Sequence, residues 1–137
     1  MTQAMTQAFR SALRHPWLWW GFGLLWTAII VVACFTHTQP SVGVSGFDKL
    51  LHTAAFAGLA GWFGSVYARR RHLLVAVLLL ALGIVIELGQ SLTSYRSAEL
   101  LDLAADAVGI VIGIGLANTR LADAFRYIEA RVLPARN

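Results

Sequence analysis

Long apolar blocks alternate with short polar stretches along the chain, and the blocks fall at residues 17–35, 47–68, 72–92 and 100–117. Each is close to the roughly 20 residues with which an α-helix crosses a bilayer core. None shows the apolar–polar alternation of a half-buried strand, so the pattern predicts helices and no sheet. Residues 36–46 form a Pro/Gly/Ser-rich connection without formal charge, which reads as a loop. Arg69, Arg70 and Arg71 join the second and third blocks, and residues 93–99 are polar. Both ends carry a helical periodicity of a different kind. Met1, Met5, Phe9 and Leu13 recur every four residues through a doubled Met-Thr-Gln-Ala, and Leu121, Phe125, Ile128 and Val132 are interleaved with Arg120, Arg126 and Arg131. These two stretches predict amphipathic helices lying at a membrane surface. Trp17, Trp19 and Trp20 open the first block where a membrane–water interface favours indole.

The fold expected is therefore an all-α integral membrane bundle of four transmembrane helices. Residues 1–16 would be a cytoplasmic interfacial segment, residues 17–117 the membrane domain, and residues 118–137 a basic cytoplasmic tail. Composition points the same way. Of 137 residues 58% are hydrophobic and 13% charged, against about 25% charged in a typical soluble domain. The net charge of +4 would suit nucleic acid, but the basic residues flank apolar blocks, so they report topology. No nucleic-acid partner is expected. The single cysteine, Cys34, makes no internal disulfide. Val31-Val32-Ala33-Cys34 loosely resembles a lipoprotein cleavage box, and the block before it follows Arg10 and Arg14 as a signal peptide would. That block exceeds a signal-peptide core of about 7–15 residues, which favours an intact span with a small buried thiol.

Orientation follows from the Lys and Arg residues. Two precede the first block, three join the second to the third, and four follow the last. Only Lys49 and Arg96, of eleven in all, fall on the other side. Four spans with both termini cytoplasmic satisfy the positive-inside rule, whereas three would export the four C-terminal arginines. This supports the fourth span, which holds Asp102 and Asp106.

That topology gathers polar residues at the extracytoplasmic rim. Asp48, Lys49 and His52 open the second span, Glu87 and Gln90 close the third, and Arg96, Glu99, Asp102 and Asp106 surround the start of the fourth. Asp48 and His52 are four apart on one helix face, as are Asp102 and Asp106, whose line continues to Gly109 and Gly113. The last pair lets helix backbones approach closely, and Gly58, Gly61 and Gly64 thin a face of the second span. An ionised side chain near mid-membrane costs about 2.5–3.5 kcal/mol on insertion scales. Lys49 and Arg96 can offset two of the five acids here, so some carboxyl is protonated, wetted, or bound to a cation or cationic ligand.

The bland readings have physical content too. Asp48 suits a helix N-terminus and Lys49 can snorkel. Glu87 and Gln90 can hold helices together, Arg96 can be a solvated loop charge, and Asp102 and Asp106 a wet helix end. The functional readings are an anion clamp at Arg96, acid–base chemistry at His52, Asp48 or Glu87, and a metal ligand or acid–base pair at Asp102 and Asp106. No His-Glu-x-x-His or cysteine pair occurs, so metal binding stays open without support from spacing and no metal ligand is assigned; no Gly-x-Ser-x-Gly occurs, so no serine hydrolase is expected, and no cofactor.

Asp48-Lys49-x-x-His52-x-x-x-Phe56, followed by Glu87-x-x-Gln90, Arg96, Asp102 and Gly109, resembles the VanZ-like family of small bacterial membrane proteins over residues 47–113. Where that family often has Asn before the Gly, this chain has Asp106. The resemblance implies a bacterial inner-membrane protein. The founding member is associated with low-level teicoplanin resistance, without an established biochemical mechanism. Three functions remain open. The first is binding of an envelope lipid, lipid-linked or lipoglycopeptide ligand by Asp48, Lys49, His52, Glu87, Gln90, Arg96, Asp102 and Asp106. There Lys49 and Arg96 would meet anionic groups, and Glu87, Asp102 and Asp106 amines or hydroxyls. The second is an enzyme acting on a lipid-linked substrate, with His52 as acid/base and Asp48 orienting its ring. The third is an ion- or proton-coupled transporter subunit carrying charge on Glu87 and Asp106, which in so short a chain would call for a homo-oligomer.

Overall fold

The structure is a computed structural model that describes residues 13–36, 46–93, 99–119 and 123–132. Those residues form five α-helices: α1 Pro16–Phe35, α2 Phe47–Val66, α3 His72–Ser91, α4 Leu100–Ala117 and α5 Asp123–Val132, with a 3₁₀ turn at Arg69–Arg71 between α2 and α3. The helix expected at the extreme N-terminus, most of the 36–46 loop, and residues 94–98 with Arg96 lie outside the described residues.

Local chemistry explains where the helices begin and end. Pro16 occupies the first turn of α1, where its missing N–H has no partner to lose. Gly46 precedes α2 with φ of 84°, a left-handed conformation open to glycine without steric cost. At the end of α4, the Asn118 amide donates to the Ile114 carbonyl at 2.9 Å, and its Oδ1 accepts from Arg69 Nε at 2.5 Å. The arginine turn is thereby pinned to the close of α4.

Three helical stretches, Pro16–Phe35, Arg69–Ser91 and Leu100–Ala117, are long and apolar enough to cross a membrane. The acid-bearing fourth block is among them. The stretch that falls short is α2, equal to α1 in length but less apolar. Its position accounts for this. It packs against α1, α3 and α4, so much of its surface meets protein and little of it must be lipophilic. By contrast α3 and α4 expose large apolar side chains, Leu73 at 77% and Val111 at 73% among them, on a scale that an aqueous surface disfavours. Three apolar helices thus mark a multi-pass membrane protein.

The most extensive packing joins α2 to α4, and glycine makes it possible. A Cβ on Gly109 would lie 2.9 Å from the Ala57 amide nitrogen, one on Gly113 2.7 Å from that of Gly61, and one on Gly64 2.7 Å from the Ala117 Cβ. The two helices run parallel in constant register, Ala57 beside Gly109, Gly61 beside Gly113 and Gly64 beside Ala117. The expected thin face of α2 is therefore real at Gly61 and Gly64, whereas Gly58 receives the Trp26 ring of α1. Phe56, Leu59, Val75, Leu79, Ile86 and Ile110 fill the core between the helices.

The C-terminal amphipathic pattern does yield a helix, α5, but it is docked against the bundle. Phe125 stacks on Trp19 with centroids 4.4 Å apart and tilts against Trp62 at 4.8 Å. Glu129 accepts hydrogen bonds from the Arg14 and His15 amides (2.8 and 3.0 Å) and from Trp19 Nε1 (2.8 Å). Trp19 is therefore core and not belt, while Trp17 and Trp20 stay exposed.

Candidate functional site

The start of α2, the end of α3 and the start of α4 meet at one end of the bundle, as the topology required. The α2–α4 register decides which side chains face each other. One turn beyond the glycine contacts, His52 comes beside Asp106, and one turn further Lys49 beside Asp102. His52 Nδ1 lies 2.8 Å from Asp106 Oδ1, with both side chains buried. Lys49 Nζ lies 2.7 Å from Asp48 Oδ2, 2.7 Å from Glu99 Oε2 and 3.0 Å from Asp102 Oδ1. The other oxygen of Asp102 faces His52 Nε2 at 3.9 Å, beyond hydrogen-bond range.

α3 contributes Glu87, which is 7% exposed. Its Oε2 accepts from the Glu99 amide at 2.9 Å, which fixes the backbone leading into α4. Its Oε1 is buried with no hydrogen-bond partner among the described residues, as is Asp106 Oδ2. A buried carboxylate oxygen left in that state costs on the order of 1–3 kcal/mol or more, so the cluster is incomplete as a hydrogen-bond network.

Six of the eight residues that the sequence nominated converge here: Asp48, Lys49, His52, Glu87, Asp102 and Asp106. Gln90 does not. Its amide donates to the Cys34 carbonyl at 2.9 Å and ties the end of α3 to the end of α1. Arg96 lies outside the described residues. Two expectations about roles change. Asp48 does not orient the His52 ring, because Asp48 pairs with Lys49 and Asp106 approaches from the neighbouring helix. Lys49 is taken up by three carboxylates, so it has no charge to spare for an anionic ligand. Glu99, absent from the nominated set, holds Lys49 with its side chain and Glu87 with its amide. Its place just before α4, next to a rim lysine, was the available signal.

An apolar groove opens beside the cluster. Ile30, Ala33 and Cys34 of α1 and Leu51, Ala55 and Phe56 of α2 line it, and His52 forms part of its wall. His52 thus touches both the groove and the polar cluster.

The family model described as VanZ/LLP1 matches residues 4–122. The chain belongs to the VanZ/LLP1 family. The match spans all four long helices and the whole polar cluster, so the family resemblance read from residues 47–113 extends through α1 as well. Searches among curated proteins and solved structures give no match. In this VanZ/LLP1 chain the acid at position 106 is the partner of His52.

His52, Glu87 and Asp102 are all buried, and each offers a ligand atom within 4.8 Å of the other two. Motif spacing within one helix could not reveal this set, because its members come from α2, α3 and α4.

Proposed function

We propose that this VanZ/LLP1 protein is a bacterial inner-membrane protein that binds an amphiphilic envelope molecule, a lipid or lipid-linked ligand, at the α2–α3–α4 end of the bundle. In this reading the chain has four spans with cytoplasmic termini, as the distribution of Lys and Arg favours, and that end lies at the extracytoplasmic face. The supporting observation is His52, shared between an apolar groove and a buried polar cluster. An acyl or prenyl chain suits the groove, and a head group bearing amines or hydroxyls suits Glu87, Asp102 and Asp106. Since Lys49 is already paired, an anionic head group is less well served unless Arg96 supplies the cation. A lipoglycopeptide, with sugars, an amine and an acyl chain, belongs to the same chemical class.

The test is lipid retention. Protein purified in mild detergent from bacterial membranes is expected to carry one amphiphile class enriched over bulk lipid, read by native mass spectrometry. Ala33→Trp, which fills the groove from an exposed position on α1, is expected to remove it with the fold intact by circular dichroism. Bulk lipid composition in the wild type, or unchanged retention in Ala33→Trp, overturns the reading.

A second reading, catalysis on a lipid-linked substrate, is favoured by one contact. Asp106 at 2.8 Å from Nδ1 is the arrangement that fixes an imidazole tautomer and directs Nε2 for proton transfer. Product formation from a lipid extract by wild type, lost in Asp106→Asn and His52→Ala, would select it over simple binding.

A further inference from the structure

We infer that His52, Glu87 and Asp102 form a binding site for one divalent transition-metal ion, with Asp106 positioning the imidazole. The three side chains come from α2, α3 and α4, and their donor atoms lie within 4.8 Å of one another. Ligands of one ion at about 2.1 Å stand roughly 3–4 Å apart, and His52 Nε2 and Asp102 Oδ2 stand at 3.9 Å. The set needs only a small contraction. One imidazole and two carboxylates suit Mn²⁺, Fe²⁺ or Zn²⁺ better than Mg²⁺ or Ca²⁺, which take oxygen ligands.

Two further observations point to an ion. Glu87 is more than nine-tenths buried, and its Oε1 has no hydrogen-bond partner among the described residues. A metal ligand is the kind of partner that such an oxygen lacks. His52 Nδ1 is engaged by Asp106 at 2.8 Å, which leaves Nε2, 3.9 Å from Asp102 Oδ2, for an ion. A carboxylate behind a ligating histidine fixes the tautomer and raises the basicity of the ring, and its loss typically weakens metal affinity about 10–100-fold. The rim group Asp48, Glu99 and Asp102 also has ligand-like spacing. It is already held by the Lys49 ammonium at 2.7, 2.7 and 3.0 Å. Five carboxylates around one ammonium leave formal negative charge, and Lys49 reaches the inner set only at Asp102 Oδ1, while Asp102 Oδ2 faces His52.

This inference stands apart from lipid binding, and the ion alone tests it. Detergent-purified protein is stripped with a chelator and titrated with Mn²⁺ under electron paramagnetic resonance. Saturation at one ion per chain is expected, with spin-echo modulation from a directly bound imidazole nitrogen. His52→Gln should abolish that modulation, and Glu87→Gln should weaken affinity about tenfold or more, as should Asp106→Asn. Asp123→Asn, on α5 at the other end of the bundle, should change nothing. The wild-type spectrum carries the test if a variant misfolds. Absence of saturable binding, absence of nitrogen modulation, or wild-type affinity in folded Glu87→Gln overturns the proposal.

Discussion

Glu129 is where burial and charge oppose each other most clearly outside the apolar helices. Burial pushes its carboxyl up, but the Arg14 and His15 amides and the Trp19 indole outweigh that and hold it below the ordinary value of 4.5. A carboxyl whose folded value is depressed stabilises the fold fully above its unfolded value, and that contribution is lost as pH falls through the folded one. Thermal melts should therefore fall off below about pH 4.5 as the Trp19 fluorescence environment changes. Glu129→Gln should cost about 1–3 kcal/mol at neutral pH and flatten that acid limb. An unchanged acid limb would show that these bonds contribute little. Lys49 presents the complementary case. Lys49→Gln should lower Tm by leaving three carboxylates without their cation. A double-mutant cycle with Asp102→Asn should be non-additive, because removing an acid relieves the repulsion that the first change exposes. Of these two residues the sequence marked Lys49, through its place in an acidic turn. It gave no cue for Glu129, whose partners lie more than a hundred residues away.

Among the elements, the α2–α4 pair carries the site. Its glycines set the distance, the distance sets the register, and the register delivers His52 to Asp106. Gly113→Ala should cost about 1–3 kcal/mol by overpacking, since its Cβ would press on the Gly61 backbone. It should weaken ligand or ion retention as well, although no site residue is altered. Gly115→Ala, three ångströms of rise further along the same helix, meets nothing within 4 Å and should be neutral or stabilising by up to about 1 kcal/mol. Equal effects of the two changes on Tm would refute the packing argument. The small-residue lines were legible in the sequence because spacing within one helix reveals a face. Pairing between helices was not, which is why Asp48, one turn from His52, was given the role of orienting its ring in place of Asp106. The central position of α2 was also hidden. Hydropathy measures what a helix can face, and a lowered value reads as a weak span when it reflects protein neighbours on several sides.

At the scale of the whole molecule, the antiparallel path of successive helices separates two unlike ends. One holds the carboxylate–imidazole cluster, and the other holds the arginine turn, Asn118 and α5. The block lengths and the distribution of arginine pointed to two unlike ends before any contact was known, since helices of alternating direction put the basic connections at one end and the polar starts at the other. Reporter fusions within residues 36–46 and 93–99 should score as extracytoplasmic, and fusions at residues 69–71 and after residue 137 as cytoplasmic. The reverse pattern would place the candidate site on the cytoplasmic face and remove envelope ligands from consideration.

The bonds from Glu129 to the threshold of α1 also carry a temporal consequence. During synthesis α1 emerges well before α5, so the backbone donors at Arg14 and His15 wait for more than a hundred further residues before meeting their acceptor. The threshold of the first helix is thus sealed only once Glu129 has been made, and a chain stopped short of residue 129 would keep that turn unsealed.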